Sequence, residues 1–295
     1  MHADAGHLPP ILFLLGILLV TIKGALLLWM VKQRAERRRK TAALNALLAA
    51  YRRGDFEAAL PFVEGLRDDD STYRYFQGAL LMQIGNLKEA EKLLQQSIQL
   101  SEQSEITLRA RGMWAKKALQ RRLELTSLRR STLGQLYLEQ GRYDDAQLCF
   151  EASLRDWPGC GSSHRAIAET LLRRGGDPTA ALKWARLAVD EERASTGLPE
   201  EVHSTNLGEQ LATLAWSVAV ALRDRPQVDR LVSEAESSVG DRLVTSCAQV
   251  QYLSALAYST LGDMERSAHH LDEAARVDRK GQWGREARAL AAMGR

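Results

Sequence analysis

Leu133-Gly134-Gln135-Leu136-Tyr137-Leu138-Glu139-Gln140-Gly141-Arg142-Tyr143-Asp144-Asp145-Ala146-Gln147-Leu148-Cys149-Phe150 is the stretch that decides how this chain is read. Apolar and small residues recur three and four apart on both sides of Gly141, the mark of two amphipathic helices separated by a turn. Gly134 lets a second helix come close, and Tyr137 fills the space between the pair. Gly141 supplies the positive φ that ends the first helix. Ala146 falls at the tightest crossing of the second helix. Asp144 puts a carboxylate near its N-terminus, where orphan N–H groups and the helix dipole favour one.

The register repeats along the chain. One unit carries Leu47, Tyr51, Gly54, Ala59, Val63 and Leu66, and the next Gly78, Leu81, Gly85, Ala90, Leu94 and Ser97. A later one carries Ala168, Leu171, Gly175, Ala181, Ala185 and Ala188, with an extra residue in its Gly175-Gly176-Asp177-Pro178 turn. The last has Ala255, Tyr258, Gly262, Ser267, Leu271 and Ala274; a degenerate unit at 207–238 has Arg225-Pro226 near the turn position. Gly54 is followed by Gly85, and Gly141 by Gly175, each after a single helix–turn–helix period.

Such a pattern at such a period resembles the tetratricopeptide repeat, a helix–turn–helix unit of about 34 residues. The resemblance covers about 41–280 and departs from the family in lacking its early tryptophan. It implies an all-α, right-handed solenoid of five to six repeats whose first helices line a concave groove. Carried over unit by unit, the groove positions are Tyr51, Tyr75, Met82, Gln135, Arg165, Glu169, Arg173 and Tyr252. Pro61 lies inside a second helix and predicts a kink there, because it removes one ladder bond.

Two spacings break the period. The interval from Gly85 to Gly141 far exceeds one repeat, and the excess predicts an additional or lengthened basic helix at 105–125. It falls between repeats 1–2 (41–104) and repeats 3–4 (126–190). Its basic residues Arg109, Arg111, Lys116, Lys117, Arg121 and Arg122, with Arg129 and Arg130 beyond, fit either a binding surface or a solvated helix face behind Leu108, Trp114, Leu119 and Leu123. Residues 191–206 read as a polar loop and hinge, followed by the degenerate and last repeats over 207–280. In 281–295, Trp283, Ala287, Leu290 and Ala291 share a stripe expected to cover the last repeat, with Arg285, Glu286 and Arg288 facing solvent.

Ahead of the repeats, the apolar run 11–31 holds a single charge, Lys23. As a helix that run is roughly 30 Å long, the thickness of a hydrocarbon core. No Lys or Arg precedes it, and Lys32, Arg34, Arg37, Arg38, Arg39 and Lys40 follow at once. The charge bias predicts an uncleaved single-pass anchor, with residues 1–10 outside and the repeats cytoplasmic. The basic juxtamembrane run 32–40 is placed to meet anionic headgroups. Gly16, Lys23 and Gly24 lie on one helical stripe, fitting either an intramembrane helix contact or a lysine that snorkels to the headgroups.

The chain totals +3 and 32–40 contributes +5, so 41–295 is close to neutral at −2; a nucleic-acid-binding body is not expected. Three scattered cysteines, Cys149, Cys160 and Cys247, make neither a disulfide framework nor a zinc site. Cys149 reads as a buried apolar residue and Gly159–His164 as an inter-repeat turn. His269 and His270 point about 100° apart on a helix and read as surface residues. No nucleotide-binding, metalloprotease or nucleophile-elbow motif is present, so no catalytic residue, metal or cofactor is expected.

The order of outside tail, single span and cytoplasmic repeats resembles the lipopolysaccharide assembly protein B family. That family ends in a rubredoxin-like module with paired CxxC motifs, which this sequence lacks. The expected function is a non-enzymatic scaffold that binds and positions protein partners at the cytoplasmic face of a bacterial inner membrane. A mitochondrial outer-membrane receptor and an accessory subunit docked through its span share the same order of elements.

Overall fold

Gly54, Gly85, Gly141, Gly175 and Gly262 sit at φ of +70°, +93°, +73°, +69° and +80°. These left-handed conformations stop each first helix, as the spacing required. The degenerate unit has no glycine there; Arg223 takes the role at φ +51°, just before the Arg225-Pro226 pair. The computed structural model describes residues 32–66, 70–196, 199–240 and 243–293.

Among the described residues the chain is all-α. Helix α1 covers 32–52, α2 Phe56–Val63, α3 Asp70–Ile84, α4 Leu87–Ala110 and α5 Lys116–Glu139. Then follow α6 Tyr143–Asp156, α7 Gly161–Arg173, α8 Pro178–Ala194 and α9 Glu200–Ala221. The chain continues through α10 Arg225–Val239, α11 Val244–Thr260, α12 Met264–Val277 and α13 Gln282–Met293. Four second helices begin at aspartate caps: Asp55 accepts from the Ala58 N–H, Asp177 from Thr179, Asp224 from Gln227 and Asp263 from Arg266. Each cap satisfies an otherwise orphan donor, worth about 1 kcal/mol.

Each odd helix packs against the next odd helix from α3 to α13 and forms the inner layer; even helices back it. Small residues set the crossings. A Cβ on Gly134 would sit 2.6 Å from the buried Phe150 ring, and one on Gly208 would sit 2.3 Å from Val239. Helices α9 and α11 are buried on nearly all faces because they lie between their repeats' outer helices and further elements inside.

The coil then closes on itself. Gly54, at the end of α1, abuts Val244 at the start of α11. Arg52 pairs with Glu201 of α9 at 3.0 Å, and Lys280 with Glu57 of α2 at 3.0 Å. Helix α13 lies against α3 and α11 instead of merely capping α12.

Several expectations change. Residues 105–125 form no separate helix: they lengthen α4 and α5 to 24 residues each, joined by the 3₁₀ turn Gly112–Ala115. Most of the 191–206 stretch is helix and not loop, since α8 runs to Ala194 and α9 starts at Glu200. Acidic Glu200 and Glu201 fill its first turn, where the dipole favours them. Gln210 Nε2 and His203 Nδ1 of α9 both meet Glu192, locking α8 to α9. With Pro61 inside it, α2 stops after 8 residues and tightens into the 3₁₀ turn Glu64–Leu66. His270 is buried, stacked 5.3 Å from Tyr258 and bound to Gln251, whereas His269 is exposed.

Candidate partner-binding groove

Helical spacing puts one column of side chains from each inner helix on the concave face. From α1 these are Leu48 and Tyr51, from α3 Tyr75 and Met82, and from α5 Thr132, Gln135 and Glu139. From α7 come Arg165, Glu169 and Arg173, from α9 Thr205 and Glu209, and from α11 Gln249 and Tyr252. The eight groove positions named from sequence all lie on inner helices, but not in one open trough.

Their centre is a chain of charges. Glu169, fully buried, accepts from Arg165 Nη1 at 2.9 Å and from Arg173 Nε at 2.9 Å. Arg173 reaches Glu286 of α13 at 2.8 Å and stacks over Tyr252 and Trp283, 5.5 and 6.0 Å from their ring centroids. Its guanidinium pKa is raised: burial opposes the charge, but Glu169 and Glu286 outweigh it. Arg165 Nε faces Glu209 at 3.9 Å, and Glu209 accepts from Ser246 Oγ at 2.6 Å. Burial pushes the Glu209 carboxyl up, while Arg165 and Ser246 pull it down. Such a chain is stable only if each buried charge keeps its partners.

Tyr75 donates to or accepts from Thr132 at 3.3 Å and lies under Arg129. Tyr51 meets Phe56 edge-on, and burial raises the pKa of its phenol. Gln135 Nε2 and Gln249 Nε2 are buried without a hydrogen-bond partner among the described residues.

The mouth of this interior opens between α1, α9 and α11. A cleft of about 260 Å³ there is lined by Leu48, Tyr51, Arg52, Val202, Thr205 and Glu209, among others. Leu48 and Val202 on its rim are 42% and 43% exposed. The opposite end is filled by α13. Arg285 donates to Glu139 at 2.8 Å and to the Gln83 and Met82 carbonyls at 2.6 and 3.2 Å. Arg285 and Glu286 were expected to face solvent; they turn inward because the closing coil brings α3, α5 and α7 alongside α13.

Glu209, Glu139, Gln249 and Ser246 are not marked by the sequence pattern, and Arg285 and Glu286 are marked only as solvent-facing. Glu209 lies in the degenerate unit, where no turn glycine fixes the register. The cap residues join the groove only through closure.

Of the basic positions, Arg109, Arg111, Lys116, Lys117 and Arg121 are exposed. Arg122 turns inward to Ser71 Oγ, Arg129 is buried against Ser101, and Arg130 pairs with Glu102 and Asp156. Lys32, Arg34, Arg37, Arg38 and Arg39 lie along α1, and Lys40 faces Glu36 at 3.6 Å. The anchor at 11–31, with Gly16, Lys23 and Gly24, lies outside the described residues. Among the described residues no helix is long and apolar enough to cross a membrane, and no cluster of three or more His, Cys, Asp or Glu could hold a metal. Cys149 is half-buried, and burial pushes its thiol up to about 11. Cys160 is buried and precedes α7 in the turn between repeats.

Family models described as tetratricopeptide repeat match residues 131–199, and 71–104 with 248–280. The chain carries tetratricopeptide repeats. The tetratricopeptide units matched are α3–α4, α5–α8 and α11–α12, which are modules for protein–protein interaction. No curated protein matches the sequence. Among solved structures, that of NprR in complex with its cognate peptide NprX is similar over 92% of this chain and 83% of that one, at 14% identity and a TM-score of 0.56. BtubC (BKLC) from P. vanneervenii is similar over 82% of this chain and 91% of that one, at 17% identity and a TM-score of 0.44. PilF of Pseudomonas aeruginosa is similar over 87% and 99%, at 12% identity and a TM-score of 0.42. NprR shares the fold over nearly the whole tetratricopeptide array.

Proposed function

We propose that this protein is a non-enzymatic scaffold, tethered by residues 11–31 with its tetratricopeptide array on the cytoplasmic side of a bacterial inner membrane. It binds a protein partner at the mouth between α1 and α9. The observation that carries the docking site is the pair of exposed apolar residues, Leu48 and Val202, on the rim of a cleft whose floor holds Tyr51, Thr205 and Glu209. A cleft of about 260 Å³ accepts one or two partner side chains, with Arg52, Glu201 and Glu209 to orient them. The solved NprR is in complex with its cognate peptide, which supports a peptide segment as the occupant. The filled far end argues against a ligand threaded through the whole groove.

The test is site-specific photocrosslinking from Val202 in native membranes, with Leu187, exposed on α8, as the control position. One protein captured from Val202 and lost on Leu48→Asp supports the reading. Identical capture from both positions, or none, rejects it. The membrane tether is tested separately, by flotation with neutral lipid vesicles after a high-salt wash, and its side by protease access to the repeats in sealed vesicles.

A further inference from the structure

The inner helices run parallel. Ser71 and Tyr75 of α3 meet Arg129 and Thr132 of α5 in that order, and Arg285 links the ends of both helices through Met82 and Glu139. Around α3 and α5, turn glycines therefore mark one edge and first-helix N-termini the other, whereas the closing coil brings the Gly54 turn against the start of α11. Since each first helix here ends at the turn edge, its length measures how far it projects past the second edge. Helix α3 has 15 residues and α7 has 13, but α5 has 24. Helix α1, described from Lys32 to Arg52, is likewise long. The α4–α5 hairpin thus projects roughly 14 Å beyond α3, at about 1.5 Å per residue, on the edge that carries the α1 tether.

Its tip has a composition of its own. Residues 106–122 contain six basic residues and no acidic one. Arg109, Arg111, Lys116, Lys117 and Arg121 are exposed and pair with no carboxylate among the described residues, and Ile106 is 70% exposed beside them. The last carboxylate on the α4 side, Glu105, is turned away and buried against Thr126. Helix α9 is also long, at 22 residues, but its acidic start lies against the turn end of α1, where Arg52 holds Glu201.

We propose that the α4–α5 tip is a second membrane contact that seats on anionic lipid headgroups. Together with the basic stretch of α1 it makes a two-point footing. One attachment alone would let the array swing; two fix which way the α1–α9 mouth faces. The chemistry is that of any bilayer-facing polybasic element: ammonium and guanidinium groups in the negative surface potential, with the exposed Ile106 at the interface. The inference rests on the anchor reading only in that residues 11–31 decide which edge meets the bilayer.

The experiment is hydrogen exchange on the full chain with vesicles of phosphatidylcholine alone and of phosphatidylcholine with phosphatidylglycerol. Exchange over 105–121 is expected to slow about tenfold on the anionic vesicles and not on the neutral ones. Replacing Arg109, Arg111, Lys116, Lys117 and Arg121 by Gln should abolish that slowing while 32–40 stays protected. Equal exchange on both lipids, or slowing that survives the five substitutions, overturns the proposal. Flotation on the neutral vesicles reports the anchor independently. A chain that fails to float yet shows lipid-dependent slowing loses the anchor and keeps the tip; one that floats without slowing loses the tip alone. The five side chains are exposed, and a thermal melt of the substituted chain matching that of the parent shows that its fold is intact.

Discussion

Arg285 of α13 closes on Glu139 of α5 across 2.8 Å of space and 146 positions of sequence. The pair joins the last helix to the third repeat and shuts one end of the inner layer. Burial raises the Glu139 carboxyl pKa, and Arg285 is the main group pulling it back. Arg285→Ala leaves that carboxylate with little else to meet. It is expected to lower stability by about 2 kcal/mol, below the range for fully buried pairs because Arg285 is partly exposed. Arg285→Ala with Glu139→Gln should recover part of the loss. Urea denaturation of the three variants measures both; equal midpoints for Arg285→Ala and the parent would reject the closure.

Gly208 has no room for a methyl group. An added Cβ would meet Val239 at 2.3 Å and the Ala235 carbonyl at 2.9 Å, one of them rigid backbone. Gly208→Ala should therefore destabilise by about 1–2 kcal/mol, although alanine is the better helix former. A rise in melting temperature would contradict the close α9–α10 crossing.

Arg223 holds a conformation suited to glycine, at φ +51°. The left-handed region costs a residue with a Cβ roughly 1–2 kcal/mol. Arg223→Gly should thus stabilise by about 1 kcal/mol, and Gly262→Ala, at φ +80°, should do the reverse. Thermal melts that move in the same direction for both would exclude this account of the turns.

His270 titrates against the fold. Its pKa lies below the ordinary 6.5, first because it is buried, with His269 and Arg266 adding to the effect and Glu236 and Glu273 opposing it. The folded chain therefore holds the neutral ring. The stability it contributes is full above about pH 6.5 and is lost as pH falls toward and through the lowered value. His270→Gln should show a smaller drop in urea midpoint between pH 7.5 and 5.5 than the parent. An equal drop would place the acid sensitivity elsewhere, in a group such as Glu273 of α12, whose carboxyl pKa the Arg276 guanidinium lowers.

The repeating register gave away most of the local structure. Turn glycines, aspartate caps and the small residues at helix crossings act within a few residues of themselves, so their spacing alone fixes helix ends and pairings. The long interval between Gly85 and Gly141 announced extra residues but not their form, because a periodic pattern does not show whether an insertion adds a helix or lengthens two. Glu200 and Glu201 resembled loop composition and proved to be the start of α9. A polar helix tip and a polar loop differ only in what packs behind them.

From the sequence by itself came an all-α array of tetratricopeptide repeats, a near-neutral body and a basic stretch behind an apolar segment. Only the tertiary structure decided that the coil closes, that α13 fills one end of the inner layer, and that Arg285 and Glu286 face inward. It also decided that the lengthened α4–α5 hairpin leaves the array on the same edge as α1. The physical reason is that each repeat's small rotation relative to its neighbour is set by packing at every crossing. The sum of those rotations, which no single motif encodes, determines whether Lys280 meets Glu57 or meets water.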